Sequence, residues 1–210
     1  MSEYKTPDTD HLVEEPDPQG TYTASDYLSW SFEWRAELIH GKYYKMLSAP
    51  RWGHQELVSR LHLELGRYFK GKKCKVGLSP TDVYLIHQGE DYRQTKNVVQ
   101  PDLFVVCDAS KVRSIGCVGA PDFVIEVLSP STSKRDASDK RDLYQEYGVP
   151  EYWMIQETDR LVIINRLDAG GEYITQGPYT VGQVVSPSAF PELVIDLTEL
   201  FRDIKQDSAT

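Results

Sequence analysis

The stretch PDFVIEVLSP, residues 121–130, decides how this chain is read. Phe123, Val124, Ile125, Val127 and Leu128 make an apolar run of strand type, and a proline at its start suits a position that needs no N–H. Glu126 interrupts that run. An ionised carboxylate among such neighbours is costly unless a positive group meets it. Alternation along a strand places Asp122, Val124, Glu126 and Leu128 on one face. The rest of the chain must supply the partner of Glu126.

Immediately upstream, QPDLFVV (100–106) repeats the pattern of Pro-Asp leading into an apolar run. If the strand VVQPDLFVVCD (98–108) pairs with PDFVIEVLS (121–129), Asp102 and Glu126 can approach each other. Two carboxylates and a strand carbonyl form a natural cradle for a hard divalent cation such as Mg²⁺. No Cys/His cluster competes for a softer metal. Plainer roles stay open. Asp102 and Asp122 can each cap a turn after proline, the favoured reading for Asp122. Glu126 can equally join a structural bridge to a lysine or arginine.

Downstream, Ser131, Thr132 and Ser133 offer N-caps for a helix running to about Tyr147, and Gly148-Val149-Pro150 ends it. Asp136, Lys140, Tyr144 and Tyr147 share one face of that helix. Lys140 can therefore reach along the tyrosines toward the carboxylates, or snorkel to solvent and pair with Asp136.

Elsewhere, TASDYLSW (23–30) reads as a short helix with Ser25 or Asp26 near its cap. AELIHGKYYKML (36–47) reads as a hairpin about His40-Gly41. Apolar residues at 57, 58, 61, 65, 68 and 69 predict a helix over 52–69, with Gly71 as its stop. KVGLS (75–79) and DVYLIH (82–87) are short strands, and EYWMIQ (151–156) with RLVIINRL (160–167) forms a second hairpin around ETD. DAGG (168–171) is a turn, and the remainder reads as short strands closing with LTELF. Helix, strands, helix, strands suits an α/β or α+β sheet with helices packed on it. On residue type alone, Glu37 reads as an exposed hairpin residue and His54 as a capping or core histidine.

The chain has 210 residues and a net charge of -9, which on its face disfavours a phosphate-rich partner. Residues 1–20 hold six acids against one base, so -4 remains for the body, which also carries the basic clusters KGKKCK (70–75) and SKRDASDKR (133–141). Residues 1–20 read as a disordered acidic tail, 21–202 as one domain and 203–210 as a C-terminal tail. Three cysteines without a CxxC spacing point to reduced thiols and a cytoplasmic protein. No apolar run has the length of a membrane span, so no membrane partner is expected. Nucleophile elbows, phosphate loops and HExxH motifs are absent.

Together, AELIHG, QPDLFVV, APDFVIEVLSPST, DASDKRDLY and YGVPEYWMI resemble the bacterial Uma-type restriction endonuclease family, within the PD-(D/E)xK nuclease superfamily. The resemblance spans about residues 22–201. It implies a restriction-endonuclease-like α-β-β-β-α-β core, a central mixed sheet flanked by helices, with an additional N-terminal hairpin and C-terminal strands. It further implies a Mg²⁺-dependent endonuclease, with Mn²⁺ as an alternative, acting on DNA as a homodimer. Carried over, Asp102 and Glu126 are the motif acids and, with the Val127 carbonyl, the metal ligands. Glu37 matches a further acid and His54 a histidine opening the long helix. The usual lysine slot, two residues after the acid, holds Leu128, so the lysine role passes to Lys140 on the following helix. A catalytically inactive binding module and a hydrolase of small phosphate esters are the competing readings.

Overall fold

The computed structural model describes residues 15–31, 34–46, 49–128 and 138–204 and breaks the run 98–108 in two at Pro101. In chain order the first elements are α1 (Ala24–Ser29), β1 (Arg35–Ile39), β2 (Lys42–Met46), α2 (Trp52–Phe69), β3 (Lys75–Leu78) and β4 (Val83–Tyr84). Then come β5 (Val98–Val99), β6 (Leu103–Val106), β7 (Val112–Arg113), β8 (Gly116–Val118), β9 (Phe123–Leu128) and α3 (Lys140–Glu146). The chain finishes with β10 (Glu151–Gln156), β11 (Leu161–Leu167), β12 (Tyr173–Thr180), β13 (Val184–Val185), β14 (Ile195–Asp196) and α4 (Leu197–Leu200).

The strands form two large mixed sheets, ordered β12-β11-β10-β9-β6-β3 and β2-β1-β5-β4-β8-β7, and the small pair β13-β14. The single strand expected over 98–108 is thus two strands in different sheets. Proline cannot continue a ladder, and at Pro101 the chain passes from one sheet to the other. The order α2-β3-β6-β9-α3-β10 reproduces the expected α-β-β-β-α-β core. β6 pairs antiparallel with β9, and β9 pairs parallel with β10 through the connection that contains α3.

Alternation in β9 divides the core. Phe123, Ile125 and Val127 pack with Leu57, Leu61 and Leu65 of α2 on one face of the sheet. Val124 and Leu128 pack on the other face with Leu143 and Tyr144 of α3 and with Val83 and Val99 of the second sheet. Glu126 follows Val124 and Leu128 onto this second face.

Local signals explain most of the boundaries. Thr23 caps α1 in a reciprocal box with Asp26, one step before the expected cap and with Asp26 as the box's second member. His40 (φ 49) and Gly41 (φ 77) turn the β1–β2 hairpin in the left-handed region that a tight hairpin requires. LTEL, expected as strand, is helix α4, because Asp196 accepts a bond from Thr198 N and caps it. Part of the expected tail is anchored: Lys42 donates to the Gln19 and Gly20 carbonyls. The proposed caps Ser131–Ser133 and Asp136 lie outside the described residues.

The thiol reading is corrected. Lys75 pairs with Val106 in the β3–β6 ladder, so Cys74 and Cys107 fall opposite each other one step further, and they form a disulfide. Only Cys117 among the three is a free thiol, and it is buried. The cytoplasmic expectation loses the support it drew from reduced thiols. Among the described residues, no helix is long and apolar enough to cross a membrane.

Candidate active site

The β6–β9 register pairs Leu103 with Ile125, so the next step sets Asp102 opposite Glu126. Here β6 ends, and side chains take over from the ladder. Val127 N donates to Asp102 Oδ2 at 2.8 Å, and Asp102 N donates to Glu126 Oε2 at 3.3 Å. The two acids therefore clasp each other's strands, which is more than a turn cap at Asp102. Asp122 keeps its plain role and accepts from Cys107 N at 2.7 Å.

The positive partner of Glu126 is Lys140. Its Nζ lies 2.8 Å from Glu126 Oε1 and 2.8 Å from Glu37 Oε1. The lysine side chain is 4 % exposed, so it points inward rather than snorkelling to solvent. Tyr144, one turn along α3, donates to Glu126 Oε1 at 3.1 Å. Burial, reinforced by the Glu126 charge, pushes the Tyr144 pKa well above that of an ordinary phenol, so it remains a donor. Glu37 is 1 % exposed, which overturns its reading as a surface hairpin residue.

Glu37 reaches the centre from β1, in the second sheet, and a network fixes it there. Gln100 N donates to Glu37 Oε1 at 2.8 Å, while Gln100 Nε2 donates to Asp82 Oδ1 at 2.8 Å. Tyr27 of α1 donates to the same Asp82 oxygen at 3.0 Å. Burial, with Asp82 second, raises the Tyr27 pKa and keeps its proton in place. The residues between the two sheets are thus polar, but bonded in sequence from α1 to α3.

His54 lies in the first turn of α2, with Nε2 3.2 Å from Asp102 Oδ2 and Nδ1 buried without a hydrogen-bond partner. Burial disfavours the charged imidazole, but the Asp102 hydrogen bond and charge, then Glu157 and the Val127 carbonyl, outweigh it and raise the His54 pKa. Glu157 follows β10 directly. It sits so close to the start of α2 that a Cβ on Gly53 would come within 2.0 Å of its Oε1, so only glycine fits at 53.

Gln100, Tyr144, Glu157 and the Tyr27–Asp82 pair went unrecognised as parts of this centre. Gln100 and Tyr144 carry no charge, and Glu157 stood in what read as a polar turn. The one available signal was position: Gln100 directly precedes Pro101-Asp102, and Tyr144 follows Lys140 at helical spacing. Of the basic clusters, KGKKCK sits at the opposite end of β6 from Asp102, because Lys75 pairs with Val106. In SKRDASDKR, only Lys140 and Arg141 among the bases are described.

Residues 24–198 match the family model Uma2, described as "Putative restriction endonuclease". The chain belongs to the Uma2 family. An uncharacterized protein from Synechocystis sp. is 26 % identical over 152 residues, covering 71 % of this chain and 76 % of that protein. A crystal structure from Anabaena variabilis, titled as that of "a putative nuclease belonging to DUF820", superposes with a TM-score of 0.68 at 21 % identity. That similarity covers 87 % of this chain and 99 % of the Anabaena chain and shows a shared fold. The Uma2 match also covers all five of the carried-over side chains, Glu37, His54, Asp102, Glu126 and Lys140.

The donor set of this Uma2 protein suits a hard cation. Among the described residues no group of three or more His, Cys, Asp or Glu side chains is arranged to hold a metal, which disfavours an all-protein cage. Mg²⁺ needs no such cage: it commonly takes one or two carboxylates and fills its shell with water and substrate phosphate. Asp102, whose side chain is 18 % exposed, faces both the buried centre and solvent. The Val127 carbonyl lies on the same edge of β9 as the N–H bound by Asp102.

Proposed function

We propose that this protein is a divalent-metal-dependent endonuclease that hydrolyses DNA phosphodiester bonds. The observation that carries the reading is Lys140 Nζ, 2.8 Å from a Glu126 that stands opposite Asp102 across two strands. The lysine absent from position 128 is replaced by one arriving from the next helix.

Asp102, Glu126 and the Val127 carbonyl would hold Mg²⁺ or Mn²⁺. When bound, such a cation supplies a Lewis acid for a phosphoryl oxygen and lowers the pKa of water. Lys140 presents a fixed ammonium to the negative charge that builds on the scissile phosphate. Glu37 holds Lys140 from the opposite side, and Tyr144 orients Glu126. His54 fixes the Asp102 carboxylate and leaves Nδ1 available to a proton. A homodimer would present two such centres, one for each strand.

A second reading draws on burial. Glu126 and Lys140 are 5 % and 4 % exposed at their side chains, as a static ion bridge in a nucleic-acid-binding module would be. Two measurements separate the readings. Cleavage of supercoiled and linear plasmid in Mg²⁺ or Mn²⁺ against EDTA should show metal-dependent nicking that Glu126→Gln and Asp102→Asn abolish. Calorimetric titration should show metal binding that both substitutions weaken. Absence of metal binding by the wild-type protein would sink the endonuclease and leave the module.

A further inference from the structure

Trp52 is 82 % exposed, more than any other exposed large hydrophobic among the described residues. It opens α2 two residues before His54, which contacts Asp102. Helix formation does not call for it, since aromatic residues lose rotamer freedom in a helix. Core packing does not use it either, because the buried side chains of this turn are Gly53 and His54.

The surroundings of Trp52 narrow what its exposed face serves. Arg51 and Gln55, on either side, are exposed and polar, and the exposed Pro50 and Ala49 add little area. Subunit contacts are built on contiguous apolar patches. A lone aromatic face next to a cation is instead what single-stranded nucleic-acid sites use: the ring stacks on a base while charge holds the backbone. The rise of the helix sets Trp52 only about 3 Å further out along the axis than His54, at the rim of the carboxylate centre.

We propose that Trp52 stacks on an unpaired base of the nucleic-acid substrate, next to the phosphodiester presented to Asp102 and Glu126. The proposal rests on the endonuclease reading and adds the partner's chemistry: a base freed from its duplex, at a strand end, a loop or an opened step. Stacking on a rigid ring fixes the register of the strand without reading its sequence, because every base offers a π-face.

The test measures binding, not cleavage. A fluorescein-labelled oligo-dT strand and its duplex with oligo-dA are titrated in EDTA with wild type, Trp52→Ala and Trp52→Phe, following anisotropy and intrinsic tryptophan emission. The expected result is quenching by the single strand and an affinity about tenfold or more weaker in Trp52→Ala, largely regained in Trp52→Phe. Equal affinity of Trp52→Ala and wild type overturns the stacking role and leaves the endonuclease standing. A wild type that nicks plasmid yet binds neither oligonucleotide overturns it too. No binding together with no metal-dependent cleavage overturns both. If Trp52→Ala elutes as a smaller species than wild type, the ring is covered by a second copy of the chain and the proposal fails.

Discussion

Two glutamates lie buried in neighbouring strands of one sheet, and they are buried in different ways. Glu151 on β10 is saturated. Trp153 Nε1 donates to Oε1 at 2.6 Å, with Arg166 Nε 3.3 Å away, and the Ser188 N–H and hydroxyl both donate to Oε2. These partners belong to β10, to β11 and to the segment after β13, so the carboxylate ties one edge of the fold together. Glu126 on β9 shares its lysine with Glu37 and stands across from a partly exposed Asp102. Burial of an acid is therefore no sign of function in itself. What separates the two is convergence: Glu151 gathers donors, whereas Glu126 gathers other acids around one ammonium.

Substitution should widen this contrast. The largest expected effect is on cleavage: Glu126→Gln should lower the rate by about a hundredfold to ten-thousandfold, the scale of several kcal/mol of lost charge stabilisation. Glu151→Gln should leave cleavage and metal affinity unchanged in protein that remains folded. If both variants lose activity equally, the contrast collapses.

Next is stability. Lys140→Ala leaves Glu37 and Glu126 buried without their shared ammonium and should cost about 3–5 kcal/mol in urea denaturation. The double variant Lys140→Met with Glu126→Gln should recover part of that loss, because it removes one of the stranded charges. Glu151→Gln should cost less, about 1–3 kcal/mol, for the bonds its Oε atoms no longer accept. A larger loss at Glu151 than at Lys140 would reverse the assignment of strain in the sheet.

The smallest effect is on pH. The His54 pKa is raised in the folded protein above its ordinary 6.5, chiefly because Asp102 outweighs burial. A raised pKa means that the His54–Asp102 interaction stabilises the fold fully below the unfolded value and is lost as pH rises through the folded one. NMR titration of the metal-free protein should show a midpoint above 6.5 in wild type. In Asp102→Asn it should fall, since burial then dominates. No movement in Asp102→Asn would detach His54 from this centre.

Local pattern was enough for much of this molecule. Apolar spacing at 57, 58, 61 and 65 marked α2 to its end residues, and Glu126 stood out because a carboxylate in an apolar run is costly wherever the run folds. The shared helical face of Lys140 and Tyr144 was likewise legible, since a pitch of 3.6 residues follows from backbone geometry alone. Contacts between elements were not legible. Nothing near Glu37 in sequence shows that it meets Lys140 over a hundred positions later, nor that Gln100 bonds backward to Glu37 and Asp82. Cys74 and Cys107 looked like separate thiols until the β3–β6 register set them opposite each other. Periodicity and composition record how a segment buries its own surface. Which charge answers which depends on strand order and register, and those exist only once the sheets are assembled.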